Sequence, residues 1–365
     1  MNSEAIHIED LKVAAYKIPT DGPESDGTIK WNSTTMVLVE IEAGGKKGIG
    51  YSYADVSSAY FINKSLKEIV VGKDAMQIPM ILKSMIESVR NNGNYGVVAM
   101  AISAIDNALW DLKAKILDVP LVSLFGKVRE DFWIYGSGGF TSYSIEKLQK
   151  QLGGWAAEGI KQVKMKIGRE PAKDVERVEK AREAIGKDCK LFVDANGAYN
   201  AKQALEMAKK FAELDVIWFE EPVPSSDLKG LHFIREKAPD KINIAAGEYG
   251  YNLPYFEQML DAQAVDVLQA DATRCGGISV FLKAGDTCEA HQLPFSSHCA
   301  PALHLHPGLS LDSFFTAEYF YDHVRIEEML FDGTARPVNG ALHADMSRPG
   351  LGLDFKYKDA EKYKI

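Results

Sequence analysis

Three acidic residues recur in the middle of the chain, each about one strand-plus-helix repeat after the one before. Asp194, Glu220 and Glu248 each stand at the carboxyl end of a short run rich in β-branched or aromatic residues. Hard carboxylate oxygens are the ligands that Mg²⁺ prefers, and its octahedral shell keeps positions for water or a bidentate substrate carboxylate. If the three side chains converge, they form a Mg²⁺ site. The alternative is three unrelated acids at strand ends.

Two lysines end an earlier run of the same kind. Lys164 and Lys166 are two residues apart, so a strand places both on one face. A lysine amine acts as a base near neutral pH only when its pKa is lowered, and we expect the like charge of Lys164 and of the metal to lower the pKa of Lys166. Lys166 is therefore the candidate base, and a solvated lysine pair is the alternative.

One histidine is placed for acid or base chemistry. His298 follows a strand end and can take or give a proton near pH 7. Asp271, on the preceding strand, can hold the other ring nitrogen and so fix the tautomer. The other histidines are predicted to be structural: His7, His232, His291, His304, His306, His323 and His343.

Nearly every candidate strand ends in a polar or charged residue, and Asn196 and Glu318 complete the set. In a parallel barrel the last inward residues of all strands meet at one mouth. Because buried charges are costly without partners, a ring of them indicates a bound ion, a ligand or mutual pairing.

The elements that would position these residues alternate from about residue 130 onward. Short apolar runs alternate with amphipathic helical stretches, which is typical of βα units and a parallel sheet. Eight tandem strands favour a closed barrel over an open doubly wound sheet, and no GxGxxG motif follows the first strand. The predicted strands are 133–140, 162–168, 191–196, 217–222, 242–248, 265–271, 294–298 and 314–320.

The first part of the chain has a different pattern. Residues 11–18 and 35–42 alternate like hairpin strands, and residues 100–117 have the apolar spacing of a helix. We predict an α+β capping domain over 1–128, a barrel over 129–320 and a tail, 321–365, that returns to the cap. Two polar loops of the cap are expected to cover the barrel mouth: 20–32, with Asp21, Glu24, Asp26, Lys30 and Trp31, and a second with Tyr51, Tyr53 and Asp55.

The bulk properties exclude several classes of protein. A net charge of -9 with no basic stripe argues against nucleic-acid binding. The longest apolar run, residues 97–105, is too short to span a bilayer, and the first ten residues do not resemble a signal peptide. The four cysteines form no CxxC pair, which favours incidental thiols and a cytoplasmic protein without a membrane partner.

The strand-end motifs resemble those of the enolase superfamily. The runs are Val-Lys-Met-Lys at 163–166, Val-Asp-Ala-Asn at 193–196, Phe-Glu-Glu-Pro at 219–222 and Gly-Glu at 247–248. Asp-Ala-Thr-Arg-Cys-Gly-Gly from Asp271 and Ser-Ser-His ending at His298 resemble its mandelate racemase subgroup. The resemblance implies a modified TIM-type (β/α)7β barrel with a capping domain, and a Lys or His base with Mg²⁺ on an ene-diolate.

The resemblance also implies individual roles. Lys164 would contact the carboxylate of a small substrate, with Lys166 and His298 on opposite faces of that substrate. Glu318 would donate a hydrogen bond to the carboxylate, for which it must be protonated. Asn196 is predicted to bind substrate, and a homo-oligomer is expected.

Removal of the proton next to the substrate carboxylate can lead to several different products. If His298 protonates a hydroxyl leaving the neighbouring carbon, the enzyme is a dehydratase; if it returns a proton to the same carbon, the enzyme is a racemase or epimerase. The polar capping loops favour dehydration of a polyhydroxy acid. Tyr249 replaces the Asn of mandelate racemase, which puts mandelate in doubt. A non-catalytic, metal-binding barrel is the weaker alternative.

Overall fold

The computed structural model describes residues 5–365, and its first part is an antiparallel sheet in the order β1-β2-β3. The strands are β1 (Ile8–Ser25), β2 (Lys30–Ala43) and β3 (Lys46–Tyr53). Two loop predictions are wrong here. Most of the stretch 20–32 continues β1 and β2 after an irregularity in pairing between Pro19 and Glu24, so only a tight tip remains as a loop. Tyr51 and Tyr53 lie on β3 because they pair with β2.

The helices of the capping domain cover this sheet. A π-helical turn (Ile62–Leu66) joins the first two helices. The four are α1 (Val56–Phe61), α2 (Lys67–Val70), α3 (Ile78–Ser88) and α4 (Gly96–Ile116). Helix α4 packs so closely on β3 that a Cβ at Gly48 would lie 2.4 Å from the Ala108 carbonyl oxygen. Glycine therefore fixes the distance between sheet and helix.

Eight parallel strands form a closed barrel, because the last strand pairs with the first. The strands are β4 (Asp131–Gly138), β5 (Gln162–Lys166), β6 (Lys190–Asp194), β7 (Val216–Glu220), β8 (Asn243–Ala246), β9 (Val267–Ala270), β10 (Phe295–Ser297) and β11 (Phe314–Phe320). The crossover helices are α5 (Ile145–Ala157), α6 (Pro171–Ile185), α7 (Ala201–Glu213), α8 (Leu228–Lys237), α9 (Leu253–Asp261), α10 (Ile278–Ala290) and α11 (Pro301–Gly308). The predicted fold class is confirmed.

The barrel interior is a packed core and not a pore. Tyr135, Phe192 and Trp218 come from β4, β6 and β7, and the rings of Phe192 and Trp218 stack with centroids 4.9 Å apart. This layer closes the barrel below the charged strand ends, so any ligand must enter from the mouth.

The last segment lies partly against the capping sheet. It contains α12 (Tyr321–Leu330), β12 (Phe331–Asp332), β13 (Ala341–His343), β14 (Asp354–Phe355) and α13 (Tyr357–Ala360). The amide of Ile365 donates to the carbonyl of Ala15 at 3.0 Å, and the Tyr357 hydroxyl donates to Glu40 at 2.7 Å. These contacts agree with the predicted return of the tail, whereas the exact domain boundaries stay a prediction. Within residues 5–365, no helix has the length and apolarity to cross a membrane.

Candidate active site

The three acidic residues predicted as metal ligands meet at the barrel mouth. Asp194 and Glu220 are the last residues of β6 and β7, and Glu248 follows β8. All three are buried, and one carboxylate oxygen from each lies within 4.8 Å of the others. Convergence of acids from three consecutive strands is what a shared cation requires.

Surrounding groups hold this carboxylate trio, Asp194, Glu220 and Glu248, in place. The backbone amide of Asn196 donates to Asp194 Oδ1 at 2.8 Å. Asn196 has a φ of 46°, a left-handed conformation that asparagine tolerates well. Trp218 Nε1 and Gln269 Nε2 donate to Glu220 Oε2 at 3.0 and 3.1 Å. The orientations of Asp194 and Glu220 are therefore set by neighbouring groups of the barrel.

One carboxylate oxygen of the trio lacks a hydrogen-bond partner, which also fits a site for a hard divalent ion. Glu248 Oε2 is buried and has no hydrogen-bond partner, although the ring of His298 lies 3.3 Å away. An unpartnered buried carboxylate oxygen is costly unless another group satisfies it. Three oxygen donors without a cysteine or histidine suit Mg²⁺ better than Zn²⁺.

The lysines lie directly against the trio. Lys164 Nζ is 2.5 Å from Glu220 and 2.8 Å from Glu318, and Lys166 Nζ is 2.5 Å from Asp194. Burial lowers the pKa of Lys166, but the negative charge of Asp194 raises it by more, and the net pKa lies above the usual value for lysine. The like charge of Lys164 alone is outweighed by Asp194 and does not lower the pKa of Lys166, and the predicted lowering by Lys164 together with Mg²⁺ stays a prediction.

His298 and Asp271 form the predicted pair. His298 Nδ1 lies 2.8 Å from Asp271 Oδ2, and the Thr273 amide donates to the other carboxylate oxygen at 2.7 Å. Burial raises the pKa of Asp271, but the hydrogen bond and charge of His298 outweigh it and leave the pKa well below its usual value. An ionised Asp271 only accepts, so Nδ1 carries a proton, and Nε2 faces the trio at 3.3 Å from Glu248 Oε2.

Glu318 differs from its predicted state. Ser137 Oγ and the Cys299 amide donate to its carboxylate at 2.6 and 2.9 Å, in addition to the Lys164 ion pair. Burial raises the pKa of Glu318, but the charge of Lys164 lowers it to well below the usual value. Glu318 is thus an ionised acceptor here, and the protonated donor is not what this arrangement favours.

One cavity of about 560 Å³ joins the barrel mouth to the capping domain. Of the predicted site residues, Lys166, Asn196, Glu248 and His298 line it. The other five lie behind this surface: Lys164, Asp194, Glu220, Asp271 and Glu318. The capping domain contributes Trp31 and Tyr53, among others. A small molecule in this cavity therefore contacts both parts of the chain.

Comparison with known families identifies the architecture. Residues 11–126 match the mandelate racemase/muconate lactonizing enzyme N-terminal domain, and residues 147–360 match the family described as enolase C-terminal domain-like. The chain belongs to the mandelate racemase/muconate lactonizing enzyme family. The predicted superfamily and subgroup are confirmed, and so is the prediction of an enzyme of this type.

Relatives within the mandelate racemase/muconate lactonizing enzyme family resemble the chain over nearly its full length. L-talarate/galactarate dehydratase from Salmonella typhimurium is 32% identical over 95% of this chain and 88% of its own. Its crystal structure with Mg and L-lyxarohydroxamate has a TM-score of 0.91 at 29% identity and covers 99% of this chain and 94% of that one. The magnesium prediction agrees with this ligand.

Two further solved structures are very similar. A mandelate racemase/muconate lactonizing enzyme-like protein from Rubrobacter xylanophilus has a TM-score of 0.96 at 51% identity, over 98% of this chain and all (100%) of that one. A racemase from Streptomyces coelicolor with bound magnesium has a TM-score of 0.93 at 29% identity, over 98% and 100%. Structures of this family thus include both a dehydratase and a racemase.

Sequence reasoning missed several residues of the cavity wall, among them Arg274, His323 and Cys299. Arg274 lies 3.4 Å from Glu248 and 3.7 Å from Asp271, and its place three residues after Asp271 in the same motif was an available signal. His323, predicted to be only structural, lines the cavity and stacks on Tyr53 with ring centroids 3.5 Å apart. Cys299 Sγ lies 3.2 Å from His298 Nε2, and its place directly after His298 in the sequence was an available signal.

Proposed function

We propose that the chain catalyses the Mg²⁺-dependent dehydration of an acid sugar to a 2-keto-3-deoxy acid. One observation carries the proposal: an amine and an imidazole face one polar cavity from two sides of a carboxylate trio. Lys166 lies against Asp194, and His298 lies against Glu248. Two proton-transfer groups beside one metal site fit removal of a proton next to a carboxylate followed by a second proton transfer.

The proton next to a carboxylate is weakly acidic because its removal places a second negative charge on an anionic group. Asp194, Glu220 and Glu248 would hold Mg²⁺, which when bound would supply positive charge to the carboxylate oxygens of the substrate. The ammonium of Lys164, buried beside the trio, adds a further cation and hydrogen-bond donor at the same place.

Lys166 is the proposed base. An ammonium paired with Asp194 has no lone pair, so the base form requires that this ion pair separates and that the proton is lost. The amine then takes the proton from the carbon next to the carboxylate, and the electrons of that bond move onto the carboxylate as an ene-diolate. Asn196, on the same wall, is the proposed partner of a substrate hydroxyl or carboxylate oxygen.

His298 completes the elimination. In its protonated form the imidazolium gives its Nε2 proton to the hydroxyl on the neighbouring carbon, the carbon–oxygen bond breaks and water leaves. The resulting enol becomes the 2-keto acid by taking a proton at the next carbon and losing the proton of its hydroxyl oxygen. Asp271 holds the ring and stabilises its positive charge throughout, as the 2.8 Å contact with Nδ1 allows.

Racemisation or epimerisation is the second candidate. The same two groups return a proton to the original carbon from the other face if no leaving hydroxyl is presented to His298. The similar solved structure of a racemase with bound magnesium supports racemisation or epimerisation as the second candidate. The polar wall of the cavity, which includes Ser33, Thr34 and Thr35, favours a polyhydroxy acid and therefore dehydration.

The deciding experiment uses Mg²⁺-loaded protein and a library of acid sugars in D₂O. Formation of 2-keto acid supports dehydration, whereas deuterium entering the α-carbon without keto acid supports epimerisation. Absence of both reactions with folded, metal-loaded protein contradicts the catalytic proposal and favours the binding barrel. A homo-oligomer and a cytoplasmic location also stay proposals, which light scattering and cell fractionation test.

A further inference from the structure

The charged residues of the cavity are distributed unevenly between its two sides. The barrel mouth carries both of its cations, Lys166 and Arg274. The capping side carries two carboxylates, Asp26 and Asp55, and within the described chain it contributes neither lysine nor arginine to the lining. The two ends of a bound substrate therefore meet different electrostatic surroundings.

Both cations are already engaged with acids of the reacting end. Lys166 is paired with Asp194, and the guanidinium of Arg274 lies near Glu248 and Asp271 and 5.4 Å from the Tyr249 ring. These partners surround the proposed metal site, so neither cation stands beside the far end of a substrate.

Local hydrogen bonds fix both capping carboxylates in position at the wall of the cavity. Asp26 Oδ1 accepts from the Thr28 and Ile29 amides at 2.6 and 2.7 Å and so shapes the hairpin tip. Asp55 begins α1 and accepts from the Ser57 amide at 2.9 Å; hydrogen bonds from Ser57 lower its pKa below the usual value. Arg169 donates to the backbone carbonyls of Asp26 and Ile29, but it does not line the cavity.

The remaining polar groups on this side are neutral. Ser33, Thr34 and Thr35 offer hydroxyls. His323 is buried against Tyr53, and burial lowers its pKa well below the usual value, so the ring is uncharged near pH 7. Its Nδ1 is buried without a hydrogen-bond partner in the structure. Hydroxyls and a neutral imidazole bind sugar hydroxyls well, whereas they do not neutralise a carboxylate.

We propose that the substrate is an aldonic acid, with one carboxylate and an uncharged polyol tail, and that Asp26 and Asp55 disfavour aldaric diacids. The inference rests on the proposed function. The carboxyl carbons of an extended six-carbon diacid are roughly 6 Å apart, so binding one end at the trio directs the other toward the capping side. There it meets like charge and no free cation, which penalises binding. The Salmonella relative is named for two diacids, so the inference separates this chain from it.

The test compares matched pairs that differ only at the terminal carbon: gluconate with glucarate, galactonate with galactarate, mannonate with mannarate and arabinonate with arabinarate. We expect kcat/KM for the best aldonate to exceed that of its aldarate by at least about tenfold. Calorimetric titration of the Mg²⁺-loaded Lys166→Ala variant with the same pair gives a second readout, and the Kd values should differ in the same direction.

Two variants test whether the negative charge of Asp55 causes the preference for aldonates over aldarates. Asp55→Asn keeps a residue that caps helices well, and we expect it to shrink the aldonate-to-aldarate ratio several-fold. Asp227→Asn is the matched control, because Asp227 begins α8 and accepts from the Gly230 amide at 2.9 Å but does not line the cavity. The aldonate-to-aldarate ratio of kcat/KM for Asp227→Asn should equal that of the unchanged protein.

The outcomes separate the inference from the function beneath it. An aldarate turned over as well as or better than its aldonate overturns the inference and leaves dehydration standing, and so does a ratio that Asp55→Asn does not move. No keto acid and no deuterium exchange with any pair overturns the proposed function and the inference together.

Discussion

Strong ion pairing at the end of β5 determines what the two lysines can do. Lys164 contacts Glu220 and Glu318, while Lys166 contacts only Asp194 within ion-pair distance. Lys164 also has an Asp194 oxygen at 3.7 Å and is fully enclosed, so it remains a cation. Lys166 lines the cavity and has fewer partners to lose, which makes it the lysine suited to exchange protons with a substrate.

Variants at the two proton-transfer residues should separate their roles. We expect Lys166→Ala and His298→Asn each to lower kcat for keto-acid formation by at least about 100-fold, because each removes a general acid or base. In D₂O, His298→Asn should still exchange the α-proton, since Lys166 remains, whereas Lys166→Ala should not. Exchange that survives in Lys166→Ala but disappears in His298→Asn would assign the base to His298.

The metal site gives a prediction that does not depend on turnover. Glu220→Gln removes one anionic ligand while keeping the side-chain shape, and we expect the Kd for Mg²⁺ in calorimetry to rise at least about tenfold. Glu236→Gln, on the exposed face of α8, is the matched control and should bind Mg²⁺ unchanged. Equal affinity in both variants would show that Glu220 is not a ligand.

At the level of single residues, the sequence predicted the site side chains whose position depends only on their place in a barrel strand. Lys164, Lys166 and Asp194 end parallel strands, and such strands direct their last inward residues to one mouth. His323 was beyond prediction because it lies on α12 and reaches the cavity only by stacking on Tyr53 of another part of the chain. Ionisation states were also beyond prediction, because they depend on distances such as that from Lys166 to Asp194.

At the level of elements, the β1–β2 hairpin is the part that most exceeds its predicted form. The alternation in the sequence predicted the central part of the hairpin, residues 11–18 and 35–42. It did not predict that β1 continues to Ser25 or that β2 already begins at Lys30. Many of those outer residues are polar, and the hairpin tip beyond them rests on the barrel mouth. A Cβ at Gly27 would lie 2.2 Å from the Ala195 carbonyl oxygen and 2.7 Å from that of Ile167.

This contact predicts a change in function without a large change in stability. Gly27→Ala must push the tip away from two backbone carbonyls, which displaces the hairpin that covers the cavity. We expect KM to rise by about tenfold or more, because small misplacements of positioning groups cost that much, while Tm changes little. Gly22→Ala in the same hairpin is the control, because its Cβ would have only Lys147 Nζ, at 3.9 Å, nearby. An unchanged KM in Gly27→Ala would mean that the tip does not position substrate.

At the level of the whole molecule, buried acids join the capping domain to the last segment and to the barrel. The Tyr51 hydroxyl of β3 donates to Glu327 of α12 at 2.6 Å, and the Ser279 amide of α10 donates to Asp106 of α4 at 2.9 Å. Burial raises the pKa of Glu327 to about 8 and that of Asp106 to about 7. Burial also raises the pKa of Glu24, in the capping hairpin, to about 8.

These raised pKa values make the junction weaker as the pH rises. Between pH 4.5, the ordinary value for Glu327, and about pH 8, the folded chain keeps a proton that the unfolded chain has released. The unfolded state then binds fewer protons, so the free energy of unfolding falls with increasing pH, at most by roughly 1.4 kcal/mol per pH unit for one such group. Below pH 4.5 both states are protonated and this contribution is constant.

Glu327→Gln isolates one such group. The side-chain amide oxygen of the variant can accept from the Ala302 amide, as Glu327 Oε2 does, but the group cannot ionise. We expect Tm of the variant minus Tm of the unchanged protein to rise from pH 5 to pH 8 by a few degrees, about 2 °C per kcal/mol. Glu236→Gln, exposed on α8, should show no trend. A difference for Glu327→Gln that is constant across this range would mean that Glu327 is ionised in the folded chain already at pH 5.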